Sequence, residues 1–350
     1  MTAKDWKAIG QQVQTLAVKA QRVTARETPK APFPWFGGKA RAASLIWERF
    51  GGDVPNYVEP FAGSLAVLLG RPGVKVGTET VNDKDAHLAN FWRAVQHDPE
   101  GVAAYADWPV NENDLTARHI WLVNEGAARV ARLEGDPDYY DVQSAGWWVW
   151  GICSWIGSGW CSGNGPWGAD EEGKLAHLGD RGKGVNRQLA HLGDRGQGVN
   201  RQLAHLGNRG QAIAEWFAAL SERLRDVRVI SGDWTRIMTE TITERLGATA
   251  VLLDPPYEGL EDYYAEGPAV AGAVREWAIA NGDNPKLRIA LCGYEGIAMP
   301  AEWDCVPWKA HGGYSSMDGE NQNAHNERIW FSPACLKPDR PRTMAFEWPA

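Results

Sequence analysis

The chain has 350 residues, enough for one large domain or two that share a core. Hydrophobic residues at 44% and charged residues at 23% exclude a disordered, collagen-like or coiled-coil chain as a whole. A formal charge of -8, from 36 Lys+Arg against 44 Asp+Glu, excludes a uniformly basic nucleic-acid coat, so any polyanion must meet a local patch.

Residues 4–22 place Trp6, Ile9, Val13 and Leu16 at helical spacing and predict a short amphipathic helix, read as an appendage over 1–30. The N-terminus lacks an apolar core of signal-peptide type, and the most apolar stretch, Gly146 to Trp160, is too short and glycine-rich to span a bilayer. From Asn56 the pattern becomes strand, glycine turn, helix: Tyr57-Val58-Glu59, then Pro60 to Ser64, then Leu65 to Leu69. A second such unit starts at Thr80-Val81-Asn82-Asp83, with Asp85 as N-cap of a helix carrying Leu88, Phe91, Trp92 and Val95 on one face. Two successive βα units predict a parallel sheet.

The alternation returns after Leu224, with a strand at Val227 to Ser231, a helix around Thr235 to Leu246, and Ala248 to Leu253 as a strand apolar on both faces. A helix around Val270 to Ala280 and a strand Leu287 to Cys292 follow. Strands near Trp303 to Trp308 and Glu327 to Phe331 are expected to form an antiparallel edge hairpin. The expected organisation is a catalytic domain over 31–85 and 226–337, an inserted, mainly helical domain over 86–225, and a tail over 338–350. Five scattered cysteines without a CxxC pair fit neither a disulfide framework nor a zinc ribbon, which suits a reducing compartment and a soluble intracellular protein.

The insertion has two unusual features. Six of the 19 tryptophans, Trp147, Trp148, Trp150, Trp155, Trp160 and Trp167, fall within 21 positions and can form a core or line a base channel. A 14-residue repeat runs from Leu175 to Ile213, LAHLGDRGKGVNRQ followed by LAHLGDRGQGVNRQ and LAHLGNRGQAI. Its glycines argue for a loop or ribbon. From Lys174 to Arg209 seven cations face two aspartates, a local charge of +5 on an acidic chain. The alternatives are a phosphate-tracking surface, with Arg181, Arg187, Arg195 and Arg201, and a duplicated loop without function. The repeated His177, His191 and His205 lack carboxylates at ligand spacing, so no metal is expected.

Three segments carry chemistry. Asp254-Pro255-Pro256-Tyr257 ends the buried strand AVLL, at the strand end where open α/β sheets bind ligands. An exocyclic amine of a nucleobase is a poor nucleophile, because its lone pair is delocalised into the ring. A carboxylate and a proline-held carbonyl in line with its N–H bonds draw the nitrogen toward tetrahedral geometry, while the adjacent aromatic stacks on the base. Glu59-Pro60-Phe61-Ala62-Gly63-Ser64 is a strand-to-helix turn whose glycine admits a ligand to the backbone. Asp83, at the end of the next strand, is placed to accept from ribose hydroxyls. Neither a full G-x-G-x-x-G nor a P-loop lysine is present, which favours one adenosine with an amino-acid tail over a dinucleotide or nucleoside triphosphate.

These segments resemble, in order, the Dam-like (α-class) DNA adenine-N6 methyltransferases that use S-adenosyl-L-methionine. Pro34-Trp35-Phe36-Gly37-Gly38-Lys39 is similar to the W-x-G-G-K segment at the cofactor's methionine end. Glu59 to Ser64 is similar to the cofactor loop, Val81-Asn82-Asp83 to the ribose-binding strand, Ser231-Gly232-Asp233-Trp234 to the segment near the cofactor's adenine, and Asp254 to Tyr257 to the catalytic tetrapeptide. The resemblance implies a Rossmann-like α/β sheet of seven strands and a target-recognition domain at 86–225. It implies cofactor contacts at Trp35, Gly38, Lys39, Glu59, Pro60, Phe61, Gly63, Asp83, Asp233 and Asp254, with catalysis by Asp254, Pro255, Pro256 and Tyr257. Trp160 and Trp167, where the family carries an aromatic segment, are further DNA-contact candidates. Duplex DNA is the implied partner, with base flipping onto Tyr257. For a protein partner the alternatives are a cognate restriction nuclease and none, and a compact solitary enzyme with a duplicated loop would suit a phage. Cytosine-N4 DNA or guanine-N2 RNA methylation, and a silent nucleic-acid-binding module, are the alternatives. The W-x-G-G-K segment and the long insertion favour DNA, and intact Lys39, Asp83 and Asp254 favour an enzyme.

Overall fold

The computed structural model describes residues 29–35, 37–73, 77–155, 160–161, 167–169, 175–177, 209–256, 267–308 and 326–338. The expected N-terminal helix, most of the repeat, Tyr257 and the tail from 339 lie outside them. Seven strands form one sheet: β1 (Asn56–Glu59), β2 (Thr78–Asp83), β5 (Val227–Ser231), β6 (Thr249–Leu253), β7 (Leu287–Tyr294), β8 (Asp304–Pro307) and β9 (Glu327–Phe331). Its order is β5-β2-β1-β6-β7-β9-β8. The first five are parallel, and β9 runs antiparallel to both β7 and β8. This is the mostly parallel α/β sheet with antiparallel C-terminal strands that the sequence predicts, a Rossmann-like methyltransferase sheet. Strand order reverses on either side of β1, so the chain leaves a crevice at the carboxyl ends of β1 and β6.

Side-chain alternation assigns each strand's residues to two buried clusters. Tyr57, Val81, Ala250, Leu252, Ala290, Cys292, Ile329 and Phe331 point to one. There they meet α1 (Ala43–Phe50), α3 (Ala86–His97), α4 (Pro99–Ala106), α7 (Val142–Ser154) and α8 (Arg209–Leu224). Val58, Val251, Leu253, Leu287, Ile289, Leu291 and Trp330 point to the other, which α10 (Gly267–Asn281) covers with Val274 and Ala278. Because both faces are covered, β1 and β6 are buried at every position.

The helices of 86–225 add to the first cluster: Phe91, Trp92, Val102, Trp148 and Phe217 pack with the sheet residues. Asp85 caps α3 as its sequence predicts, accepting from the backbone N–H of His87 and Leu88. Short helices α5 (Glu112–Trp121) and α6 (Ala127–Val130) complete this side, and β3 (Trp167–Ala169) pairs antiparallel with β4 (Leu175–His177), the start of the repeat. Of the tryptophans, Trp148 lies 5.1 Å from the Phe33 ring in the main core. Trp150 and Trp155 form a satellite core with Leu115.

One element differs from expectation. The stretch 235–246 is two short pieces, a 3-10 turn Trp234–Ile237 and α9 (Glu240–Thr243). Thr239 between them is extended, and the break turns Ile242 so that its carbonyl accepts from Asn56 Nδ2 at 2.7 Å. Helical propensity over so few residues yields to burying Ile237 and Met238 on the sheet. The preceding α2 (Ala66–Leu69) follows Leu65, which is buried and left-handed at φ 53, a conformation costly for leucine.

Candidate active site

The strand ends surround a cavity of about 540 Å³, within the size range of small-molecule sites. Trp35, Gly38, Lys39, Glu59, Pro60, Phe61, Gly63, Asp83, Asp233, Asp254, Pro255 and Pro256 all line it. Segments widely separated in sequence thus meet at one place.

The W-x-G-G-K segment and the turn after β1 are fitted to each other. Gly63 has φ 47, and a Cβ there would stand 2.6 Å from Trp35 Nε1, so no side chain is admitted. The turn is then tied to β2. Ala62 N donates to the Asn82 carbonyl at 2.9 Å, and Gly63 N donates to Asp83 Oδ2 at 2.9 Å. Trp92 Nε1 holds the Gly63 carbonyl from α3 at 2.9 Å. Asn82, fully buried, donates through Nδ2 both to the Pro60 carbonyl at 3.1 Å and to the Gly232 carbonyl at 3.0 Å. One side chain therefore brackets the loops after β1 and β5, and its Oδ1 has no hydrogen-bond partner.

The electrostatics are acidic. Five carboxylates, Glu59, Asp83, Asp85, Asp233 and Asp254, line the cavity against Lys39 and Lys84. Burial pushes Asp83 up to about 7, against the lowering effect of the Gly63 N–H. Burial also raises Glu59 well above the carboxylate range, opposed by the Tyr57 hydroxyl that donates to its Oε2 at 2.9 Å and reinforced by Asp254 and Asp83. Asp233 is held below the usual range by Thr235, which donates to it from its backbone N–H and hydroxyl. Next to Asp233, Trp234 stacks on Phe61 with centroids 6.2 Å apart.

Lys39 faces Asp254. Its Nζ lies 2.8 Å from Asp254 Oδ2 and donates to the Gly37 carbonyl at 2.7 Å, with the lysine 4% and the aspartate 20% exposed. Burial alone would lower the lysine, yet the charges of Asp254, Cys292 and Glu327 outweigh it and raise it. The lysine is thus held as a cation against the aspartate at the end of β6. Neither the pairing nor the Asn82 bracket has a local signal in sequence, since the partners come together only when the sheet forms.

The DNA-contact candidates are elsewhere. Trp160 is half-buried, its Nε1 donating to the Trp148 carbonyl at 3.0 Å and its ring 5.1 Å from His119 and 5.2 Å from Trp155. Trp167 opens β3 opposite His177. Arg181, Arg187, Arg195 and Arg201 lie outside the described residues. Among the described residues no group of three His, Cys, Asp or Glu side chains could hold a metal ion. None of their helices is long and apolar enough to cross a membrane.

The Rossmann-like sheet thus carries an acidic cavity and a proline-bounded carboxylate at its strand ends, where open α/β sheets bind ligands. Residues 35–118 match the family model of the D12 class N6 adenine-specific DNA methyltransferases, which bears out the resemblance to Dam-like adenine methyltransferases. The family indicates methylation of DNA at the adenine N6 position. No curated protein matches the chain.

Proposed function

We propose that this protein transfers the methyl group of S-adenosyl-L-methionine to the N6 amine of adenine in duplex DNA after the base is flipped out of the helix. The observation that carries the reading is the charge of the cavity. With five acidic side chains against two lysines, one of which is paired with Asp254, the cavity lacks the cations that a polyphosphate needs, whereas a ligand bearing a sulfonium, an ammonium and ribose hydroxyls suits it. Asp83 and Glu59 would accept from hydroxyls, and the Phe61–Trp234 side would meet the adenine ring, while Gly38 and Gly63 let Trp35 pack against the cavity wall. When bound, the cofactor supplies an electrophilic methyl group.

The chain's residues prepare the amine. Pro255 and Pro256 fix the backbone after β6, and Lys39 holds Asp254 Oδ2, so the carboxylate is oriented before substrate arrives. The Asp254 carboxylate and the Pro255 carbonyl accept from the two N–H groups, and Tyr257 stacks on the base. The bound cofactor would supply the methyl group and be left as a neutral thioether, and the N6 amine would give up one proton. Asp254 stabilises the positive charge on nitrogen until that proton leaves.

The test is direct. The purified protein is incubated with labelled S-adenosyl-L-methionine and unmethylated DNA, and the DNA is digested to nucleosides. Label in N6-methyladenosine of the deoxy series is expected. Label in N4-methylcytosine, or none, would reject the reading.

A further inference from the structure

A second carboxylate stands behind the Lys39–Asp254 pair. Glu327 opens β9 opposite Tyr294 of β7 and is only 7% exposed. Its Oε2 is buried with no hydrogen-bond partner. Lys39 reaches the same corner, for its Nζ lies 5.4 Å from the centre of the Trp308 ring, and the Trp308 backbone N–H donates to the Glu327 carbonyl at 3.3 Å. The charged and titratable groups that act at this point are Lys39 from the N-terminal segment, Asp254 at the end of β6, and Cys292 and Tyr294 from β7. Arg328, the next residue, turns away and pairs with Glu295 at 2.6 Å.

A buried carboxylate oxygen without a hydrogen-bond partner is costly, and the β9 register is kept by backbone pairing. Its effect must be electrostatic. One ammonium facing one carboxylate is a neutral pair, which offers little to a cation forming beside it. Lys39 pairs directly with Asp254, and Glu327 acts on the lysine from farther off, so the corner holds more negative charge than the direct pair by itself.

We propose that Glu327 is a positioning residue for methyl transfer: it shares the charge of Lys39 and so keeps the Asp254 carboxylate an effective acceptor for the target amine. The inference rests on the function proposed above and deepens it. Burial pushes Glu327 up to about 6, with Lys39 pulling it down and Asp254 pushing it further up. It is therefore mostly ionised at neutral pH and discharged in mild acid. Losing its charge lets Lys39 bind Asp254 more closely, and the rate of methyl transfer falls.

The experiment compares wild type, Glu327→Gln and Glu327→Asp. Single-turnover transfer to unmethylated plasmid DNA is measured between pH 5.5 and 8.5 at saturating S-adenosyl-L-methionine, and cofactor affinity by calorimetry. Removing a group that contacts the transition state directly costs 10² to 10³ in rate, so one acting through Lys39 should cost about tenfold. Glu327→Gln is expected to be about tenfold slower at pH 7.5 with cofactor affinity within about twofold of wild type, and to lose the decline that wild type shows below about pH 6. Glu327→Asp should recover part of the rate. An active wild type with an equally fast Glu327→Gln, or a variant whose loss lies wholly in cofactor affinity, overturns the inference and leaves the function standing. A wild type that transfers no methyl group overturns both.

Discussion

At the residue scale, the pairing of Lys39 with Asp254 determines how a mutation at the acid should be read. Asp254→Asn keeps the shape but removes the charge, so methyl transfer should fall by about 10² to 10³ while cofactor still binds. Single-turnover transfer and calorimetry on the same protein check this, and a variant keeping more than about a tenth of the rate would remove Asp254 from the chemistry. The variant also takes away the carboxylate charge 2.8 Å from a buried ammonium, so a lower unfolding midpoint should accompany the loss. Asp83 makes a different prediction. Because it titrates at about 7, cofactor affinity should rise as pH increases toward 7, by up to tenfold per unit, and level off above. Asp83→Asn should remove most of that slope; a slope unchanged in calorimetry from pH 6 to 8 would mean Asp83 serves only to hold Gly63 and Asp85. The linkage to folding has the opposite sign. A folded value above the unfolded one of about 4 means that ionising Asp83 costs stability as pH rises from about 4 to about 7.

At the scale of elements, the site depends on two loops that share a single bracket. Asn82→Ala would leave the Pro60 and Gly232 carbonyls without their donor, at about 1 to 3 kcal/mol for each buried group that water cannot reach. The loops after β1 and β5 should then loosen together. The expected result is a rise of tenfold or more in the cofactor Kd with a single-turnover rate at saturation close to wild type. If that rate falls while Kd holds, Asn82 acts on the chemistry and not on the cavity wall. The strand ends were legible in the sequence where the apolar residues of β1 and β6 stop abruptly at Glu59 and Asp254, while Asp83 ends a mostly polar strand and was found by its place after the next βα turn. The stretch after Asp233 was not, because two short turns and one helix present the same alternation of apolar residues.

At the scale of the whole molecule, the chain from 86 to 225 returns to the sheet through a buried ion cluster. Glu79 of β2, fully buried, accepts from Arg71 NH1 at 3.0 Å and from Arg223 of α8 at 2.7 and 3.0 Å. Arg223 also donates to the Leu68 carbonyl at 2.9 Å, so α8 is fastened to β2 and to α2 beside the cavity. Glu79→Gln should destabilise the fold by about 3 to 5 kcal/mol, since it removes the negative charge that two arginines share in the interior. Denaturant midpoints measure this, and a change below about 1 kcal/mol would show that the cluster is dispensable. The repeat enters at this scale too. If its +5 charge tracks the phosphate backbone, deleting Leu189 to Gln202, which carries Arg195 and Arg201 against Asp194, should weaken DNA binding and lower the salt slope by about one to two units. Identical slopes in parent and deletion would leave the repeat without a role on DNA.

Two things in this protein are determined locally and can therefore be read along the chain. Side-chain alternation, caps such as Asp85 and glycine turns such as Gly63 are set by neighbours within a few residues, so the parallel sheet, its strand ends and the candidate residues on them follow from sequence. What only the tertiary structure decided is which of those residues act on one another. Lys39 against Asp254, Asn82 between two loops and Glu327 behind the pair depend on strand order, because the β9 strand enters beside β7 and brings a late glutamate to an early lysine. The tryptophans obey the same rule: Trp148 fills the main core against Phe33 and Phe91, whereas Trp160 stays half-buried against His119 and Trp155, because burial depends on what the fold places opposite each ring.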